Sequence, residues 1–111
     1  VFSKDDEKST IFVKHKNKHI KIKLNDILYL KAAHVYVEII LKNSQKIVVR
    51  GSLNTYSNGL NNNFIRVHRS YIVNINFIDT IEKNFVFIEK NQIPIGNKFK
   101  ETVITKISRE K

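Results

Sequence analysis

The run Phe64-Ile65-Arg66-Val67-His68-Arg69-Ser70-Tyr71-Ile72-Val73-Asn74 alternates apolar, largely β-branched residues with basic and polar ones. A period of two puts successive side chains on opposite faces of a strand, so the run reads as half-buried β-structure. Val67, Tyr71, Ile72 and Val73 are then core residues, while Arg66, His68 and Arg69 stay at or near water. His68 by itself reads more readily as a buried, satisfied histidine, and Asn74 as a residue bonding backbone at a turn. A basic, hydrogen-bonding strand edge of this kind suits a phosphate-facing surface.

The rest of the chain follows the same period. Thr10 to Lys14 and His19 to Leu24 flank a polar turn at Lys16-Asn17-Lys18, and Asn25-Asp26 precedes Ile27 to Leu30. Val35 to Leu41 and Lys46 to Arg50 are strands around the turn Lys42-Asn43-Ser44, a spacing that suits a β-meander. Gly51-Ser52 interrupts the pattern. Ser52 is placed to cap a short helix near 52–60, with Leu53, Tyr56 and Leu60 at helical spacing. After the loop Asn61-Asn62-Asn63 and the central run, Phe77 to Ile81 and Phe85 to Ile88 read as strands about Lys83-Asn84. Ile93-Pro94-Ile95 reads as an extended edge, because proline cannot donate to an interior ladder. A C-terminal helix is expected near 98–109, with Phe99, Val103, Ile104 and Ile107 on one face. The class is mostly β, in small antiparallel sheets with two short helices. The strand pattern alone does not separate stacked sheets from a barrel.

A chain of 111 residues fits one domain. Residues 1–8 are charged and non-periodic and read as a linker remnant; 9–111 form the domain. The net charge of +10 favours an anionic partner: nucleic acid, an anionic membrane or an acidic protein. With no cysteine there is no disulfide framework, thiolate metal site or cysteine nucleophile, which fits a cytoplasmic setting. No apolar run approaches the ~18 residues of a membrane span, and no membrane contact is expected.

Lys14, Lys16, Lys18, Lys21 and Lys23, with His15 and His19, form a segment without an acid. On a strand, His19, Lys21 and Lys23 share one face and Ile20, Ile22 and Leu24 the other. The lysines either blunt a sheet edge against aggregation or contact phosphate. His15 and His19 are spaced to chelate a metal on a helix, but the segment reads as strand and lacks a third ligand, so no metal or other cofactor is expected. Asp26, Glu38, Asp79, Glu82 and Glu89 are scattered, and the common phosphate-loop, nucleophile-elbow and zinc-helix motifs are missing from the sequence. No catalytic residue and no enzyme activity are expected.

Four stretches in order resemble one family. Tyr29-Leu30-Lys31-Ala32-Ala33-His34-Val35-Tyr36-Val37 looks like a strand, a short variable loop and a second strand. Arg50-Gly51-Ser52-Leu53 looks like a turn into a short helix. The central run Arg66 to Asn74 and Ile93-Pro94-Ile95-Gly96-Asn97-Lys98-Phe99-Lys100 complete the set. Together, over about Ile11 to Lys106, they resemble the LytTR-type DNA-binding domain, the output module of many bacterial response regulators. The family often carries an acidic residue where Lys31 stands, a Gly-Asn pair near His34-Val35, and Arg near Lys98. Lysine contacts guanine without the planar fork of arginine.

The resemblance implies about ten short strands in an elongated stack of small antiparallel sheets. It implies that inter-strand loops enter successive major grooves, with His34, Asn97 and Lys98 reading bases. Lys14, Lys16, Arg50, Ser52, Arg69 and Lys100 are the expected phosphate contacts. It further implies sequence-specific duplex DNA binding by a bacterial transcription regulator, as the C-terminal output domain of a two-component response regulator. The implied partners are direct-repeat duplex DNA, a second copy of the domain on that DNA, and an N-terminal receiver or other sensory domain. About five neutralised phosphates predict a salt slope of roughly −4 to −5. The alternative is a sequence-tolerant RNA or single-strand-binding β module stacking bases on Phe12, Tyr29, Tyr36 and Phe85. It ranks second because these aromatics fall in apolar alternation and are expected to be buried. A third class, a module binding an acidic protein, is left open by charge alone.

Overall fold

The computed structural model describes residues 9–110; the linker assigned to residues 1–8 lies outside them. Ten strands follow the chain: β1 Thr10–His15, β2 Lys18–Lys23, β3 Ile27–Ala33, β4 Tyr36–Leu41, β5 Lys46–Arg50, β6 Phe64–His68, β7 Tyr71–Asn74, β8 Thr80–Ile81, β9 Phe85–Ile88 and β10 Asn91–Pro94. Helix α1, Leu53–Ser57, lies between β5 and β6, and α2, Lys100–Glu110, follows β10. The strands form three antiparallel sheets: β1-β2, the five-stranded β5-β4-β3-β7-β6, and β10-β9-β8. The mostly β class and the stack of small sheets expected from the sequence are both present.

The five-stranded sheet separates two cores. On one face Ile27, Leu30, Val37, Ile39, Val49 and Ile72 pack with Ile11, Val13 and Ile22 of the hairpin and Leu53 of α1. On the other, Leu28, Tyr29, Ile65, Val67 and Val73 pack with Val86, Ile88 and Ile93 of the small sheet and Val103 of α2. Central β3 is covered on both sides, which is why Ile27-Leu28-Tyr29-Leu30 is an unbroken buried run. A bulge between Ile27 and Tyr29 shifts the register there and turns Leu28 and Tyr29 to the same core.

Turn chemistry closes the hairpins. Lys16 and Asn17 both lie in the left-handed region, φ 52° and 65°, as the two-residue turn between His15 and Lys18 requires. Asn74 is 1% exposed and fully bonded: its amide nitrogen donates to the Ile27 carbonyl at 3.0 Å, and its oxygen accepts from the Asn76 N–H at 3.0 Å. That second bond winds the chain into a 3-10 turn at Ile75–Phe77.

Two elements are shorter than the sequence predicts, and one helix face differs from it. The strand expected over Phe77 to Ile81 reduces to Thr80–Ile81, because the Asn74 cap commits the preceding residues to the turn. Helix α1 ends at Ser57, and turns carry the chain on to Leu60. Gly59 lies against Ile11 so closely that an added Cβ would stand 2.8 Å from its Cδ1. On α2, Val103 is buried but Ile104 is 57% exposed. One residue is about 100° of helical rotation, enough to carry Ile104 off the face shared by Phe99, Val103 and Ile107.

Candidate nucleic-acid interface

Strand direction gathers five segments at one end of the large sheet. β3 and β5 end there and β4 begins there, because Ala33 pairs Tyr36 and Tyr36 pairs Arg50. β6 ends and β7 begins there, because Lys31 pairs Tyr71 and His68 pairs Tyr71. The β1–β2 tip joins them: Lys14, His15, Lys16 and Asn17 line a cleft with Tyr36, Val48 and Arg50. Within it, His15 Nδ1 lies 3.0 Å from the Val48 carbonyl oxygen. The β10–α2 junction joins from the opposite side, where the Gly96 N–H donates to the Val67 carbonyl at 2.8 Å.

Backbone bonds lock the neighbouring loops together. The Gly51 N–H donates to the Val35 carbonyl at 2.8 Å, and the Ala32 N–H donates to the Ser70 carbonyl at 2.8 Å. The β3–β4 turn consists of His34 and Val35, both exposed, with His34 left-handed at φ 60°. Histidine tolerates that region better than β-branched residues do. Arg50 lies 6.0 Å over the Tyr36 ring. Gly51, at φ 137°, sits over the Tyr56 ring, and the Tyr56 hydroxyl donates to the Arg50 carbonyl at 2.7 Å. Burial holds the Tyr56 hydroxyl above its ordinary pKa. The segments 15–18, 34–36, 50–54, 68–70 and 96–99 contain Lys16, Lys18, Arg50, Arg69 and Lys98 but no aspartate or glutamate. Such a surface attracts polyanions.

The base-reading candidates fall into two groups. His34 stands on the β3–β4 turn, while Asn97 and Lys98, both exposed, stand on the β10–α2 junction. Between them lies exposed Arg69 on the β6–β7 turn. Lys14 and Lys16 line the cleft with Arg50. Ser52 caps α1, its hydroxyl accepting from the Thr55 N–H at 3.2 Å. Lys100 is set apart: half-buried, its ammonium donates to Asn84 Oδ1 at 2.6 Å in the turn before β9.

Two features escape the sequence. Arg66 is not simply a water-facing cation: its Nε donates to the His68 carbonyl and its Nη1 to Asn54 Oδ1, each at 3.0 Å. Nothing in strand alternation signals those partners. The expectation that the candidate stacking aromatics are buried is also corrected. Tyr29 is buried and Phe85 half-buried, but Phe12 is 61% and Tyr36 44% exposed. Ile11 and Val13 take the core face of β1, and Val37, Ile39 and Leu41 that of β4, leaving the alternate positions outside. His68 is half-buried rather than buried, and its Nδ1 accepts from the Ser70 N–H at 3.0 Å.

The structure is similar to the LytTr DNA-binding domain of a putative methyl-accepting/DNA response regulator from Bacillus cereus. The likeness has a TM-score of 0.75 at 21% identity and covers 89% of this chain and 96% of that one. No curated protein matches the sequence. The family model of the LytTr DNA-binding domain matches residues 17–108, which takes in all the strands from β2 onward and nearly all of α2. A three-sheet fold with its basic loops at one end, matched along most of its length by that model, places this chain in the LytTR family of DNA-binding domains.

Proposed function

We propose that the domain binds duplex DNA sequence-specifically, through the row of loops at the end of the five-stranded sheet. The observation that carries this is the convergence of five acid-free segments at that one end, four tied in by backbone bonds and the β1–β2 tip by the His15 ring at the Val48 carbonyl. His34 on one side and Asn97 with Lys98 on the other read base edges in successive major grooves. Lys14, Lys16, Arg50 and Arg69 bind the intervening phosphates, with Ser52 and Lys100 at the margins. The similar Bacillus cereus domain is described as part of a response regulator. By analogy, this domain serves as the output module of a transcription regulator, next to a receiver or other sensory domain, binding direct repeats as a pair.

Selection of random duplex DNA at about 0.15 M salt tests the reading. The expected result is enrichment of a short motif, lost with His34→Ala or Lys98→Ala. Binding without enrichment would remove the base-reading roles and leave a basic β module.

One observation favours a second reading. Exposed Tyr36 with Arg50 beside its ring offers a stacking position for an unpaired base. Phe12 on β1 is exposed as well, but buried Tyr29 and half-buried Phe85 are withdrawn from such a surface. Single-stranded DNA competing better than duplex would favour this reading over the first.

A further inference from the structure

Arg66 lies on β6, and its donors are taken up by partners within the fold. Nε bonds the His68 carbonyl at 3.0 Å, Nη2 the Arg69 carbonyl at 2.5 Å, and Nη1 the Asn54 side chain on α1 at 3.0 Å. One planar guanidinium therefore grips two carbonyls of the β6–β7 turn and ties them to a helix on the first core. The turn in turn holds both groups of base-reading candidates. Its Ser70 carbonyl accepts from Ala32, two residues before His34, and the Val67 carbonyl before it accepts from Gly96, one residue before Asn97. The two segments are also in ordinary contact: a Cβ at Gly96 would stand 3.7 Å from the His68 Cα.

We infer that Arg66 is a positioning residue: it fixes the β6–β7 turn, and that turn sets the distance between the His34 hairpin and the Asn97-Lys98 segment. This rests on the DNA reading above and adds a determinant to it, namely the number of base pairs separating the two groups of bases read. A base pair inserted between those groups moves one of them by about 3.4 Å. A rigid turn does not follow that shift, whereas a loose turn accommodates it. Lysine does not replace the clamp, because a point-like ammonium lacks the fork that meets two carbonyls and an amide at once. A residue acting only on phosphate would instead alter affinity for every sequence alike.

The test has one arm with DNA and one without. In the first, the most enriched duplex from random selection is altered by inserting one base pair at each position in turn. Wild-type protein is expected to lose roughly tenfold or more at the sensitive step, the scale of one lost bidentate base contact. Arg66→Lys is expected to narrow that loss to about twofold, leaving affinity for random duplex and its salt slope unchanged. In the second arm, amide hydrogen exchange of the free protein is followed at Ala32 and Gly96, and both amides are expected to exchange faster in Arg66→Lys. Asn54→Ala, an exposed change that keeps two of the three bonds, is expected to shift both readouts the same way by a smaller amount, without lowering Tm. Unchanged exchange, with random-duplex affinity reduced and the salt slope smaller by about one unit, would make Arg66 a phosphate ligand and overturn the clamp. If the wild-type protein selects no duplex sequence, the DNA reading fails and the spacing role with it; that outcome is separate from the exchange result.

Discussion

Tyr56 concentrates several roles in one side chain. Its hydroxyl closes the Arg50–Ser52 turn through the Arg50 carbonyl, and its ring fills the space where a Gly51 side chain would go. Burial raises the pKa of Tyr56; burial, then Tyr71 and then Glu38 raise that of Tyr29. Both phenols are held neutral by the fold. Their contribution to stability is therefore complete below the ordinary tyrosine pKa of about 10 and is lost as pH rises past it. Thermal melts across that range should show Tm falling on the alkaline side, less steeply in Tyr56→Phe. At neutral pH the same substitution should cost about 1 kcal/mol, the worth of one hydrogen bond. Asn74→Ala should cost more, about 1–3 kcal/mol by denaturant unfolding, because it strands buried backbone partners of the amide. The local roles of Ser52 and Asn74 were legible in sequence, since each side chain bonds backbone within three residues of itself. Arg66 was not, because a partner of its long side chain lies 12 residues away on α1.

Among the elements, α2 separates pattern from packing. Val103 is completely buried and Ile104 largely exposed, although an apolar periodicity assigns both to one face. Val103→Ala should cost about 2 kcal/mol in denaturant unfolding, from two lost methyl groups and the space they leave. Ile104→Ala should stay within about 0.5 kcal/mol. Hairpins were the most legible elements: Lys46 to Arg50 and Phe85 to Ile88 were expected with their observed ends. The Phe77 to Ile81 stretch shows the limit. Its composition suits a strand, but a side chain three residues upstream had already set the backbone. Strand β3 carries the same lesson in reverse, as its solid apolar run makes sense only once both faces are covered.

At the scale of the whole molecule, sheet order was beyond sequence reasoning. β3 pairs with β7, more than 40 residues away along the chain at Leu30 and Ile72, and nothing local specifies that partner. The gathering of basic loops at one end follows from that pairing, so the candidate residues named by resemblance could be seen to cluster only with the fold. With four clustered residues proposed to contact phosphate and Lys100 at the margin, log K for duplex should fall with log salt at a slope of roughly −4. Lys16→Ala should flatten the slope by nearly one unit. Lys100→Ala should change it less, since Asn84 already holds that ammonium. A near-flat slope in the unaltered domain would refute the electrostatic account. The position of the loops has a longer consequence. His34, Asn97 and Lys98 project from turns outside both cores, so exchanging them leaves the hydrophobic packing untouched. On the proposed reading of these residues, selection can revise the operator a regulator answers to while its foldedness is conserved, and duplicated copies of such a gene can acquire separate targets without first acquiring compensating mutations.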